Sequence, residues 1–217
     1  EIVRALAPHE RVEILCHSDA VRADAQRCLD AHGVPSIRYR LHDCPTDRVW
    51  LRDSAPTGVL TANGDVALVN WGFNAWAKYD NYALDAAVGH TIAQVTSLDR
   101  REPQRADGAG RVILEGGGIE TDGLGTMLVT EEWLLSDSQI RNRSFARTDY
   151  EKMFAAAIGI TQTIWLGAGC VGHAPHGHVA DIARYVAPGV LVSAHDAATH
   201  PDTPRRPPTN THHPVAP

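Results

Sequence analysis

Lysine is nearly absent from these 217 residues: Lys78 and Lys152 stand against eighteen arginines, and no run of basic residues occurs. With a formal net charge of -6 and a sequence pI near 6.0, the chain lacks the electrostatic footprint of a nucleic-acid or polyanion binder. A small or cationic partner is expected instead. Cysteine is also scarce. Cys16, Cys28, Cys44 and Cys170 lie far apart with no Cys-x-x-Cys pair, which points to a reducing cytoplasm rather than a disulfide scaffold. No apolar run reaches membrane-spanning length and no signal peptide is visible, so no membrane partner is expected. What the chain does have is 43% hydrophobic content, enough to bury a core.

The two ends read differently from the middle. The opening "EIVRALAPHERVEILC" has no Met and reads as a helix running into a strand, so a preceding segment is expected. The closing "THPDTPRRPPTNTHHPVAP" holds six prolines and no hydrophobic periodicity, a composition that cannot pack a core. The arginine bias suggests GC-rich coding DNA, in which a shifted reading frame gives such an ending. The expected organisation is a folded domain over 1–198 and a tail over 199–217.

Periodicity within the domain repeats. A strand at "RVEILC", a helix at "SDAVRADAQRCLDAHG" and a strand at "SIRYRLH" lead to "WLRDSAP" and a hairpin, "TGVLTANGDVALVNW", turning at Asn63-Gly64-Asp65. A second round follows: helix "NYALDAAVGHTIAQV", strand "RVILE", motif "EGGGIE", turn "TDGLGT" and strand "MLVTEEWLL". The third has helix "ARTDYEKMFAAAIG", strand "TQTIWLG", motif "HGHVAD" and the strand pair "IARYV" and "VLVSAH". Asp53, Glu115 and His178 therefore occupy matching places, 62 and 63 residues apart. Such units cannot bury their own faces, so the copies are expected to pack around a common axis with equivalent strand ends converging on it. A plain α/β sandwich, in which the three never meet, is the alternative.

A converging Asp53, Glu115 and His178, with Trp50, Trp71 and Trp76 near in sequence, would form an acidic, aromatic-lined pocket suited to a cation. A carboxylate matches the planar fork of a guanidinium, an aromatic face adds cation–π attraction, and histidine moves a proton near neutral pH. Plainer readings exist for each. Asp53 could form a turn with Arg52 as its salt-bridge partner, and Gly116 to Gly118 could be a bend in a strand with Glu115 solvated. Trp133 and Trp165 read as core, and Trp71 and Trp76 as core or pocket rim. No P-loop or Gly-x-Gly-x-x-Gly pattern supports a nucleotide. His173, His176 and His178 could hold zinc, but no carboxylate or thiolate stands beside them at a zinc spacing, so no metal is expected.

The motifs "WLRDSAP", "VILEGGGIETDGLGTMLVTEEWLLS" and "HGHVADIARYVAPG" closely resemble those of the agmatine deiminase and bacterial peptidyl-arginine deiminase family, in the guanidino-modifying pentein superfamily. The resemblance runs in order from Glu1 to about His195. It implies a five-bladed α/β propeller built from ββαβ blades, of which this chain would supply about three. The implied reaction is hydrolysis of agmatine to N-carbamoylputrescine and ammonia, with no cofactor, through a cysteine thiolate that attacks the guanidinium carbon. Carried over residue by residue, Asp53 would bind the guanidinium, Trp50 would line the pocket, His178 would be the catalytic acid and base, and Glu115 would support the same pocket.

The chain departs from the family at two places. Ala180 stands where His-x-Asp would put a second guanidinium-binding aspartate, and Asp181, one strand position along, would face away. The family's nucleophile lies in a Gly-x-His-Cys segment that these residues do not contain. Cys170 in "GAGCVGH" is nearest in appearance but corresponds to a strand end, and Cys16, Cys28 and Cys44 read as core or strand thiols. No turnover by this chain alone is expected. The alternatives are a non-catalytic guanidinium- or cation-binding remnant, or a peptidyl-arginine deiminase. Three of five blades would leave open sheet edges, and self-association is expected from them.

Overall fold

A computed structural model describes residues 1–170 and 176–194. His173 and the tail from Thr199, both singled out above, lie outside the described residues. Helix α1 (Ile2–Leu6) leads into β1 (Val12–Cys16), which pairs in parallel with β2 (Tyr39–Asp43) across α2 (Asp19–Ala31). Ser18 starts α2 by accepting the Val21 N–H. A short helical turn, α3 (Leu51–Ser54), carries the first motif into a hairpin of β3 (Thr57–Leu60) and β4 (Val66–Val69), which turns at Asn63-Gly64 as read from the sequence. Helix α4 (Ala83–Thr96) returns the chain to β5 (Asp99–Arg101), parallel to β4.

The same order then recurs. Gly116–Gly118 form a 3-10 turn ahead of β6 (Glu120–Thr121), which runs antiparallel to β7 (Thr126–Thr130). A helical turn, α5 (Glu131–Leu134), and the longer α6 (Arg147–Ile158) precede β8 (Gln162–Leu166), parallel to β7. A last 3-10 turn, Val179–Asp181, opens the hairpin of β9 (Ala183–Ala187) and β10 (Val190–Ser193). Among the described residues there are thus two mixed three-stranded sheets of identical order and sense, flanked by one parallel and one antiparallel pair. The fold is α/β.

The repeat read from the sequence is real, but its phase differs in detail. Strand β8, with α6, completes the second sheet rather than opening a third unit. Its counterpart in the first sheet is β5, a polar strand that alternation could not reveal. The expected strand "RVILE" is an extended crossing segment held by two isolated bridges, Gly72 to Ile113 and Gln104 to Arg111. Val112 and Leu114 anchor it because both are buried. The expected strand "MLVTEEWLL" ends at Thr130, whose hydroxyl accepts the Trp133 N–H and so caps α5. Asp53 lies within α3, while Glu115 and His178 stand immediately before the two 3-10 turns.

The main core spans both three-stranded units. Trp133, Tyr150 and Phe154 fill it together with Val69, Trp71, Leu114, Met127 and Val129. Full burial of each large apolar side chain contributes about 1.5–3 kcal/mol relative to exposure. This packing fixes α6 on its sheet and holds the three motif turns where they touch: α3 packs on the Gly116–Gly118 turn, and that turn packs on Val179–Asp181.

Candidate functional site

Asp53 is buried at the end of α3, and both of its carboxylate oxygens are engaged. Oδ1 accepts the Gly117 backbone N–H at 3.0 Å, and Oδ2 accepts Trp76 Nε1–H at 3.0 Å. Gly117 has to be glycine: a Cβ there would lie 2.5 Å from Asp53 Oδ1 and 2.7 Å from His178 Nδ1. The backbone of the second motif thereby donates to the carboxylate of the first and touches the histidine of the third. Trp76 reaches Asp53 from a segment in which Ala75, Trp76 and Ala77 all have positive φ, a costly conformation for side-chain-bearing residues and one concentrated at functional sites.

Glu115 has no exposed surface. Its Oε1 accepts Arg141 Nε–H at 3.1 Å and its Oε2 accepts Trp133 Nε1–H at 2.7 Å. His178 Nε2 stands 3.5 Å from the same Oε2, while its Nδ1 is 3.9 Å from Asp53 Oδ1. The imidazole thus lies between the two carboxylates, edge-on to Trp133 with ring centroids 5.9 Å apart. Gly177, just before it, adopts φ +79°, and a Cβ there would lie 2.5 Å from the Trp133 backbone nitrogen. Its carbonyl accepts the Thr130 hydroxyl, so the end of β7 sets the entry to the third motif.

The two carboxylates shift in opposite directions although burial raises the pKa of both. For Asp53 burial dominates and raises the pKa above the usual aspartate value, against the pull of His178, Trp76 and Gly117. For Glu115 burial pushes the same way, but His178, the Arg141 charge and the Trp133 N–H together outweigh it and hold the pKa below the usual glutamate value. Two carboxylates, one with its pKa raised and one with its pKa lowered, and an imidazole between them can neutralise a cation and shuttle a proton.

The structure therefore brings together Asp53, Glu115 and His178. Trp50 stands apart: it is 60% exposed at the start of α3, and among the described residues no hydrogen bond or ring contact ties its side chain to the cluster. Arg52 pairs not with Asp53 but with Glu120, at 3.7 Å, which removes the simple turn-and-salt-bridge reading. Trp71 is core and donates to Thr57 Oγ1. Trp165 packs against the core. Trp133 is core too, yet it also donates to Glu115, a role its apolar context did not suggest. Ala180 and Asp181 fall in a 3-10 turn rather than a strand, and Asp181 is exposed. Cys16 and Cys44 are buried as expected; Cys28, on the outer face of α2, is exposed, against expectation, as is Cys170. His176 lies 3.9 Å from Glu132. No group of three potential ligands able to hold a metal occurs among the described residues.

Sequence reasoning missed Arg141, which lies in a polar loop without periodicity, and left Trp76 open between core and pocket rim, a choice decided by the left-handed backbone around it. The usable signal was bookkeeping of charge: a fully buried glutamate requires a cation close by.

Comparison with known proteins places the chain in a family. The profile of the Porphyromonas-type peptidyl-arginine deiminases matches residues 1–212, and the chain belongs to that family. It is 34% identical to the agmatine deiminase of Pseudomonas fluorescens over 94% of this chain and 53% of that protein. It is likewise 34% identical to that of Pseudomonas syringae pv. tomato, again over 94% and 53%. The solved agmatine deiminase of Enterococcus faecalis superimposes with a TM-score of 0.78 at 25% identity, covering 91% of this chain and 52% of that one. The chain spans about half the length of these relatives.

Proposed function

We propose that this chain carries the guanidinium-binding and proton-transfer part of an agmatine deiminase-type amidinohydrolase. The observation that carries the reading is the meeting of Asp53, Glu115 and His178, one from each motif, in a single buried cluster. In this reading Asp53 and Glu115 hold the guanidinium of agmatine, and Trp50 covers its tail from the rim. His178 protonates the departing ammonia and activates the hydrolytic water. The attacking thiolate is not supplied: neither Cys170 nor the other three cysteines falls in a Gly-x-His-Cys segment, and Ala180 removes one further carboxylate. The fold reading that goes with it is a pentein propeller with about three of five blades, supported by two complete units and two partial ones. Four free cysteines support a reducing, cytoplasmic setting.

Binding and turnover separate under this proposal. Equilibrium dialysis of the 217-residue chain with agmatine is expected to give saturable binding that Asp53→Asn weakens, while an ammonia assay on the same samples gives no product. Ammonia release that survives replacement of Cys170 would contradict the assignment of the missing thiolate, and absence of agmatine binding by a folded sample would contradict the site itself.

A further inference from the structure

Between β2 and α3 the chain runs back against the loop that carries Trp76, and one arginine ties the two segments together. Arg48 donates from Nη1 to the Asn81 carbonyl at 2.6 Å and to Asp85 Oδ2 at 3.2 Å, and from Nη2 to Asn81 Oδ1 at 2.7 Å. Asp85, buried in the first turn of α4, returns the contact: its Oδ1 accepts the backbone N–H groups of Asp47 and Arg48 at 2.8 and 3.0 Å. Asp47 in turn accepts the Leu84 and Asp85 N–H groups at the start of the same helix. The Arg48 guanidinium is therefore held in one place by three acceptor atoms, and its own backbone is held with it.

That fixed guanidinium lies against two rings. Its carbon is 4.8 Å from the Tyr79 ring centroid and 5.7 Å from that of Trp76, within the range of cation–π attraction. Tyr79 also meets Trp76 edge-on at 6.0 Å, and Phe73 meets it edge-on at 5.4 Å. Trp76 gives its indole N–H to Asp53 Oδ2, from a backbone with positive φ at Ala75, Trp76 and Ala77 in succession. Such a backbone persists only where its surroundings over-determine it. Asn74, whose side chain accepts the Ala77 N–H, secures the turn; Arg48 and the two aromatic neighbours secure the ring.

We propose that Arg48 is a positioning residue for the Asp53 carboxylate: its guanidinium, fixed by Asn81 and Asp85, holds the Trp76 ring so that the indole N–H stays on Asp53 Oδ2 and keeps the carboxylate in one orientation for a guanidinium ligand. The role toward a ligand rests on the deiminase-type reading above; the role toward Trp76 stands on the geometry alone. Planarity is what the position uses. A lysine would keep a positive charge beside Asp85 but would present a point charge in place of a fork and a flat face.

The test follows hydrogen exchange of the Trp76 indole N–H by NMR in the 217-residue chain without ligand, and agmatine binding by dialysis on the same samples. In Arg48→Lys, whose cation still neutralises Asp85, the Trp76 N–H is expected to exchange about tenfold faster and agmatine to bind about tenfold more weakly. Asn81→Ala removes the acceptor of Arg48 Nη2 at an exposed position and leaves the Arg48–Asp85 pair in place; it is expected to move both readouts the same way. Trp76→Phe removes the N–H through which Arg48 acts, so in that background Arg48→Lys is expected to weaken agmatine binding no further. Exchange at the unaltered rate in both Arg48→Lys and Asn81→Ala overturns the proposal. An equal loss of affinity from Arg48→Lys with and without Trp76→Phe overturns it too, because Arg48 would then act by another route. If the unaltered chain binds no agmatine, the deiminase-type reading fails, while the exchange rates still decide whether Arg48 holds Trp76 on Asp53.

Discussion

A carboxylate with no exposed surface persists in a fold only when cations and N–H donors surround it, and Glu115 has Arg141, Trp133 and His178. Removing one partner leaves an uncompensated buried charge. Arg141→Met is therefore expected to cost about 3–5 kcal/mol in denaturant unfolding, far more than a surface arginine would. Asp53 leads to a pH prediction. Its pKa is raised, so the ionised form that a guanidinium needs is complete only above that raised value and declines as pH falls through it. Agmatine affinity, measured by calorimetry across the acidic range, is expected to fall with pH in the unaltered chain and to lose most of that slope in Asp53→Asn. The Glu115 pKa shifts the other way: burial raises it, but His178, Arg141 and Trp133 together hold it below the usual glutamate value. At this scale the sequence was informative where residue type and spacing coincided, as for Asp53, Glu115 and His178. It was silent on Arg141, which lies in a loop with no periodicity, and left Trp76 open between core and pocket rim, a choice that backbone geometry decides.

Among the elements, the end of β7 carries more than its length suggests. The Thr130 hydroxyl accepts from Trp133 N–H and donates to the Gly177 carbonyl, joining the cap of α5 to the loop that presents His178. Thr130→Ala is expected to cost about 0.5–2 kcal/mol of stability by thermal melting, with weakened agmatine binding because the third motif loses its tether. The cap could be read in retrospect from Thr-Glu-Glu, yet the apolar run around it reads as one strand because strand and buried helix share that pattern. Helices α2, α4 and α6 were legible from their periodicity and terminal signals. Strand β5 was not, since Asp99, Arg100 and Arg101 carry no apolar alternation and pair only because α4 delivers them beside β4.

For the whole molecule, repetition was the legible feature: the near-equal spacing of three motifs predicted that they would meet, and the first two stand ahead of sheets of identical order. The phase of the repeat was not legible, because strand pairing is a long-range contact that no local pattern reports. Strand β10 exposes Val190, Leu191 and Val192, and β9 exposes Val186 beside them. Apolar strands at an open sheet are templates for further pairing. The chain is expected to self-associate, with apparent mass in light scattering rising with concentration; a constant monomer mass would contradict this. The central claim, that the three motifs form one cation site, is tested most directly by following the His178 ring nitrogens by NMR while agmatine is added to the unaltered chain and to Asp53→Asn. The account predicts that the His178 signals move and saturate with the affinity found by dialysis, and that the response is much weaker in the variant. Agmatine that binds while the His178 signals stay unmoved would place the ligand elsewhere and contradict the account.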